Sequence, residues 1–295
     1  MQALAAWLVA RPQNAVIVLA ATLLIPYLQV LSGIIMVLLV LHQGTRLAIF
    51  EAAAAGALVA GIGLIAGVPV AQLFGGMLTT WVPAVVLGGV LHATRSLTLT
   101  MQVSMLVAIF LTIAFHIVVA DPVAYWQPVT TYMLEWARQS NLQEQVQLME
   151  SDPVMTANMV TIAIVLSSWM LYVLYLLFGY YIFRQAAGEK GDYGRFCDLN
   201  FGRVLALIMA LVSLLAVVSG VFAVQNVAFL LFAMFWVQGL AIMHWMHFEG
   251  RLPLFIVIVT YILLPVLHVF LILALALLGY TDAWFRYRRR VVRQQ

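Results

Sequence analysis

Glu51, His116, His244, His247 and His268 carry titratable groups in, or at the ends of, apolar runs. A carboxyl or imidazole in hydrocarbon is costly and needs either a polar partner or a function. Glu51 lies just inside the run Thr45–Gly67, with Arg46 before it. Two readings follow: an acid that reaches the interface beside Arg46, or a proton or cation site. His244 and His247 share a helix face at i, i+3 spacing, but a zinc site wants three or four ligands. Glu249 does not fit that face, so no metal is expected. His268 follows Pro265 at i+3, and a proline frees a carbonyl about one turn earlier. The imidazole is expected to face the protein interior, either bonding that region near Tyr261 or lining a polar cavity. His116 closes the run Leu97–Ala120 and joins Glu51 and His268 as candidate ligand-binding residues. The lone Cys197 reads as an inert loop thiol. No nucleophile–base arrangement, Walker loop, dinucleotide fingerprint or HExxH occurs. The chain is therefore not expected to be an enzyme, and no cofactor is expected.

These residues stand out because charge is scarce. Of 295 residues, 8% are Asp, Glu, Lys or Arg and 65% are hydrophobic, against roughly 25% charged in a soluble domain. Several apolar runs exceed the ~20 residues a helix needs to cross a bilayer. The reading is an all-α, polytopic integral membrane bundle with about eight principal hydrophobic segments, the first and last broken by proline. The runs are Asn14–Leu41 with Pro26, Thr45–Gly67, Phe74–His92 with Pro83, Leu97–Ala120, Val154–Phe183, Gly202–Phe222, Gln225–His247 and Leu252–Gly279 with Pro265. Met1–Ala10 reads as a short interfacial helix rather than a cleaved leader. Asp121–Pro153 is the long polar connector, and its Tyr132–Met149 stretch has helical periodicity suited to the membrane surface or to capping the bundle. Tyr280–Gln295 reads as an amphipathic, Arg-rich tail.

Net charge is +3 and the pI about 9.1, but the basic excess does not point to nucleic acid. Arg286, Arg288, Arg289, Arg290 and Arg293 crowd the last ten residues, and such a cluster beside a membrane helix serves orientation and anionic head groups. The positive-inside rule puts Arg46, Arg95, Arg184, Lys190, Arg195, Arg203, Arg251 and the tail in the cytoplasm and the acidic connector outside. Alternation satisfies this from Arg46 to Arg251. A single crossing by Leu252–Gly279 would place the tail outside. A fold-back at Pro265 would keep it inside but leave arms too short to span fully.

Small residues crowd the second run. Gly56, Gly61, Gly63 and Gly67 are candidate helix-packing positions, because small residues at three- or four-residue steps let backbones approach. Gly75-Gly76 and Gly88-Gly89 are read the same way.

The C-terminal third carries a pattern. Gln238-Gly239-Leu240-Ala241 leads to His244-Trp245. A proline-containing apolar run follows, then Leu278-Gly279-Tyr280-Thr281-Asp282-Ala283-Trp284-Phe285 and arginines. This resembles the YybS-like family of uncharacterised bacterial membrane proteins (domain of unknown function 2232), which ends in a similar Leu-Gly-x-x-Asp-x-Trp-Phe segment before basic residues. The chain departs from that pattern at Arg286, where the family carries an acid. The resemblance makes His244, Asp282, Trp284 and Phe285 family-motif positions and implies no activity. Residues up to Phe183 are also loosely similar to the substrate-binding subunits of energy-coupling-factor vitamin transporters, a likeness that supplies no ligand.

The expected organisation is an N-terminal membrane bundle over 1–183, a cytoplasmic loop over 184–201, and C-terminal membrane helices with the tail over 202–295. The expected setting is a bacterial inner membrane with cytoplasmic termini. The expected role is a transport-related or solute-binding subunit, in contact with lipid and with another membrane or energising subunit. Its cavity would lie between the first, Gly-rich and Leu97–Ala120 helices. The alternative is a non-transporting scaffold for envelope or signalling proteins.

Overall fold

A computed structural model describes residues 2–25, 27–185 and 192–288. The kink proline Pro26, the loop lysine Lys190 and the tail arginines Arg289, Arg290 and Arg293 lie outside the described residues. Thirteen α-helices and no strand occur among the described residues. They are α1 (Gln2–Ala10), α2 (Pro12–Leu24), α3 (Gln29–Gln43), α4 (Thr45–Ile65), α5 (Val70–Thr94), α6 (Leu97–Val118), α7 (Pro122–Gln139), α8 (Gln143–Ser151), α9 (Pro153–Gln185), α10 (Gly202–Ser219), α11 (Phe222–Phe248), α12 (Leu254–Leu263) and α13 (His268–Phe285). Seven are long and apolar enough to cross a membrane: α4, α5, α6, α9, α10, α11 and α13. All-helical architecture is what lipid demands, because a helix satisfies its own backbone.

The first and last apolar runs are split, as expected. The first divides between α2 and α3, where the Ile25 N–H bonds the Ala21 carbonyl and Leu28 N–H bonds that of Ile25. The last divides around Pro265, which has no N–H to continue the ladder; α12 stops at Leu263 and α13 starts at His268. Pro83, in contrast, is absorbed inside a continuous α5. The structure differs from expectation at the chain's end. The helix runs on to Phe285 rather than giving way to a tail at Tyr280, because Tyr280, Asp282 and Ala283 are packed side chains. The arms at Pro265 are therefore unequal. α13, at 18 residues, is long enough to cross, while α12, at 10, is not.

The chain forms two compact units, 1–104 with 170–196 and 105–169 with 197–295, so the boundaries fall inside α6, inside α9 and in the loop before α10. In the first unit, α3 packs on α5, and α4 packs on α2, α3 and α5. Ala48, Glu51, Ala55, Val59 and Gly63 form the buried face of α4 at three- and four-residue steps. The C-terminal half of α9 lies close on α3. A Cβ on Gly33 would strike the Tyr175 ring, and one on Gly179 would lie 2.7 Å from Val37. The loop before α10 is tied in by two bonds: Tyr193 N–H donates to the Tyr180 hydroxyl (2.8 Å) and Leu97 N–H to the Tyr193 carbonyl (2.7 Å).

In the second unit, α11 pairs most extensively with α13, and α10 packs on both. The connector folds into α7 and α8, with Asp121 capping α7 through the Val123 and Ala124 N–H groups. Arg138 pairs with Glu150 across these two helices. Both side chains are exposed, and pairs of that kind contribute little to stability.

Candidate functional site

Two polar clusters and one isolated acid lie inside the helical units. The first cluster sits where α11 crosses α13. A Cβ on Gly239 would fall on the Leu275 carbonyl oxygen, and one on Gly279 on that of Phe235. Only glycine permits this approach, and it brings Gln238 against Asp282. Gln238 accepts from the Phe201 N–H (2.9 Å) and donates to the Gly279 carbonyl (2.9 Å) and to Asp282 Oδ2 (3.3 Å). Arg288 donates to the same Oδ2 at 2.7 Å and to the carbonyls of Cys197 (2.8 Å) and Leu199 (2.7 Å). The turn that brings Arg288 back is left-handed at Arg286 (φ 50°), whose N–H bonds the Asp282 carbonyl. Asp282 is fully buried, and its pairing with arginine answers the cost of burying a charge.

The remaining motif residues divide. The Trp284 carbonyl accepts from Arg203 (3.0 Å). The Trp284 ring sits edge-on to Tyr280. Phe285 is exposed. His244 lies 2.9 Å from the Tyr261 hydroxyl, and His247 3.0 Å from the Leu252 carbonyl. The motif thus marks one helix crossing and the clasp that holds the start of the tail.

The second cluster joins α6, α9 and α11. His116 Nδ1 lies 2.9 Å from the Thr112 carbonyl, so that nitrogen carries the proton and Nε2 is left to accept. Asn226 Nδ2 stands 3.5 Å from Nε2 and donates to Asn158 Oδ1 at 3.0 Å. With Asn158 and His116 oriented in this way, a flipped Asn226 would turn its oxygen on two acceptors. Its Oδ1 is buried without a hydrogen-bond partner among the described residues. Thr161, one turn from Asn158, receives the Trp126 indole N–H (2.8 Å) from α7. Phe115, Tyr125 and Trp126 pack as an aromatic group beside it, with ring centroids 4.7–5.7 Å apart. A cleft of about 240 Å³ among α7, α8 and α9 is lined by Val123, Thr130, Leu134, Thr156 and Ala157, among others. None of this lining comes from the first, Gly-rich or Leu97–Ala120 helices that were expected to enclose a cavity.

Glu51, on α4, is 4% exposed and accepts a hydrogen bond from Gln43 Nε2. It does not reach for the interface beside Arg46, which is exposed; its helix turns it inward on the Ala48–Gly63 face. His268 departs from expectation. It is exposed at the first turn of α13 and hydrogen-bonds nothing among the described residues. The break at Pro265 starts a new helix at that position, and α13 turns Leu275, Ala276, Gly279, Asp282 and Ala283 inward instead.

The glycines divide too. Gly56 meets Met77 and Gly63 meets Leu73, both from α5, as helix-packing positions should. Gly61 has open space, and Gly67 ends the helix in a left-handed turn (φ 70°). Gly88 and Gly89 touch Val40 and Thr45, while Gly75 and Gly76 have open space.

The sequence reading names His116 as a candidate and Gln238 within the family pattern, but singles out neither Asn158 nor Asn226. The available signal was a neutral amide inside an apolar run, which lipid tolerates only with partners.

Seven membrane-length apolar helices with polar groups turned inward define a multi-spanning membrane protein, in contact with the lipid bilayer. The chain belongs to the family described as predicted membrane protein (DUF2232), which matches residues 14–283. That span takes in both ends of the α11–α13 crossing. No curated protein and no solved structure matches the chain.

Proposed function

We propose that this protein is a solute-binding or transport-related subunit of a bacterial inner membrane, with its seat at His116, Asn158 and Asn226. The observation that carries this reading is the buried, unpartnered Asn226 Oδ1. Buried acceptors are normally paired, and an orphan costs about 1–3 kcal/mol. It stands among fixed donors and acceptors from three helices, beside an aromatic group. A solute that brings one N–H or O–H donor completes it. The cleft among α7, α8 and α9, one residue from Asn158 at Ala157, is the approach. Nothing in this seat resembles a nucleophile with its base, so the reading is a binding protein rather than an enzyme.

The loop before α10 and the Arg-rich tail take the cytoplasmic side, together with the N-terminus. The bonds from Arg288 to the Cys197 and Leu199 carbonyls support putting loop and tail on one side. The α12–α13 segment then enters and turns back at Pro265, as the shortness of α12 favours. An energising partner would meet this basic side.

The test is extraction of small molecules from the wild type and Asn226→Leu, each purified from membranes. A solute retained by the wild type and lost from a folded Asn226→Leu protein supports the seat. Equal solute content in the two would remove it. A second reading, a scaffold for other membrane proteins, is favoured by the exposed apolar side chains of α12, Leu254, Phe255, Ile258 and Ile262 among them.

A further inference from the structure

Glu51 is the one acid that the clasp and the solute seat leave unused inside a membrane-length helix of the first unit. Its place follows from the α4 pattern. Ala48, Ala55, Val59 and Gly63 set the inward stripe, and Glu51 falls on it. The helices packed on α4 are α2, α3 and α5. α2 contains no titratable residue, and Arg11 precedes it at the N-cap position without a side-chain cap bond. α3 ends with His42 and Gln43. α5 carries His92 and is followed by Arg95. α4 itself carries Arg46, which is exposed. Of these, only Gln43 hydrogen-bonds the carboxyl, at Oε2, and Oε1 is buried with no hydrogen-bond partner among the described residues.

An ionised carboxylate is an acceptor with about four lone-pair sites. One amide donor leaves most of its charge uncovered in an apolar surround, and a carboxyl so placed neutralises itself instead. A neutral acid suits this place better than an ion: the carbonyl oxygen takes the Gln43 N–H, and the O–H on the other oxygen lacks an acceptor but leaves no charge uncovered. We infer that Glu51 is a membrane-buried proton-binding site, held as a neutral carboxylic acid at neutral pH with Gln43 on Oε2 and the proton on Oε1. Release of that proton needs water to take it up and a donor or cation to cover the carboxylate left behind, so exchange is coupled to opening of the α3–α4 contact. This site is independent of the solute seat and stands or falls without it.

The test uses the full chain in lipid nanodiscs, with glutamate ¹³C-labelled at the side-chain carboxyl. The label separates Glu51 from the buried Asp282. The other glutamates are Glu135, Glu144, Glu150, Glu189 and Glu249, and all except Glu189, which lies outside the described residues, are exposed. Infrared spectra at neutral pH are expected to show one isotope-shifted band of a protonated carboxyl. That band should vanish in Glu51→Gln and be unchanged when choline replaces Na⁺. A spectrum with only carboxylate bands at neutral pH would overturn the assignment. So would a protonated band that persists in Glu51→Gln, or one that appears only when Na⁺ is withdrawn, which would mark an alkali-cation site. Should Glu51→Gln fail to fold, the pH titration of the labelled wild type decides alone, because exposed glutamates lose their protons well below neutral pH.

Discussion

Asp282 and Glu51 are both carboxyls turned inward from membrane-length helices, yet their surroundings differ in kind. Asp282 receives Arg288 and Gln238, and Arg288 goes on to two backbone carbonyls. Glu51 receives Gln43 alone. The first arrangement stabilises a charge, and the second suits a neutral acid. Burial by itself does not say which state an acid adopts; the donors around it do. The same contrast separates structure from function. Both acids leave one oxygen bare, Asp282 Oδ1 and Glu51 Oε1, among the described residues. Asp282 has a guanidinium on its other oxygen, in a network that holds helices and a tail in place. Glu51 has no cation on either oxygen, and is poised to exchange what it carries.

The largest expected effect breaks the Asp282 side at its foundation. Gly279→Leu drives a side chain into the Phe235 backbone, which cannot move aside as a flexible side chain would. It should abolish the monodisperse peak in size-exclusion chromatography. Gly63→Leu, on the helix that carries Glu51, meets the movable Leu73 side chain of α5 and should cost about 1–3 kcal/mol as overpacking, read by thermal unfolding. If the two glycines prove equally tolerant, the α11–α13 crossing is not the tighter contact.

Next in size is the clasp itself. Arg288→Ala leaves Asp282 buried without its countercharge, a change worth about 3–5 kcal/mol. Adding Asp282→Asn should recover part of that loss, because the stranded charge is then gone. A double mutant no better than the single would mean that Arg288 acts through the Cys197 and Leu199 carbonyls alone. The smallest effect belongs to His268. Its exposed imidazole bonds nothing among the described residues, so His268→Leu should change stability by no more than about 0.5 kcal/mol. A larger loss would show that a polar partner meets it in the membrane.

The hydrophobic segments were legible because lipid imposes length and helicity on any crossing element. The split of the first run between α2 and α3, and of the last at Pro265, is legible from prolines that lack an N–H. Facing was harder to read. In a soluble helix polar residues mark the outside, but here both faces of α4 are apolar, and Glu51 is placed by the small residues Ala48, Ala55 and Gly63. That spacing was present in the sequence, yet Arg46 drew attention as the nearer partner. Gln43, from a different helix, could not be seen as one. The position of His268 depended on where α13 begins, and neither the start at 268 nor the end at Phe285 is set by hydropathy. Arg288 reads as part of the tail because its return to Asp282 depends on a left-handed Arg286, a conformation arginine seldom announces. Asn158 and Asn226 lie far apart in the chain, and only the fold brings them to His116.

The contrast between the two acids is tested most directly by neutralising each in turn and comparing thermal unfolding in one lipid environment. Asp282→Asn removes a charge that Arg288 requires, and should lower stability by about 2 kcal/mol or more. Glu51→Gln replaces a neutral acid with a neutral amide of the same shape, and should leave stability within about 1 kcal/mol of the wild type. The account predicts that order. A Glu51→Gln protein destabilised as much as Asp282→Asn, or more, would contradict it.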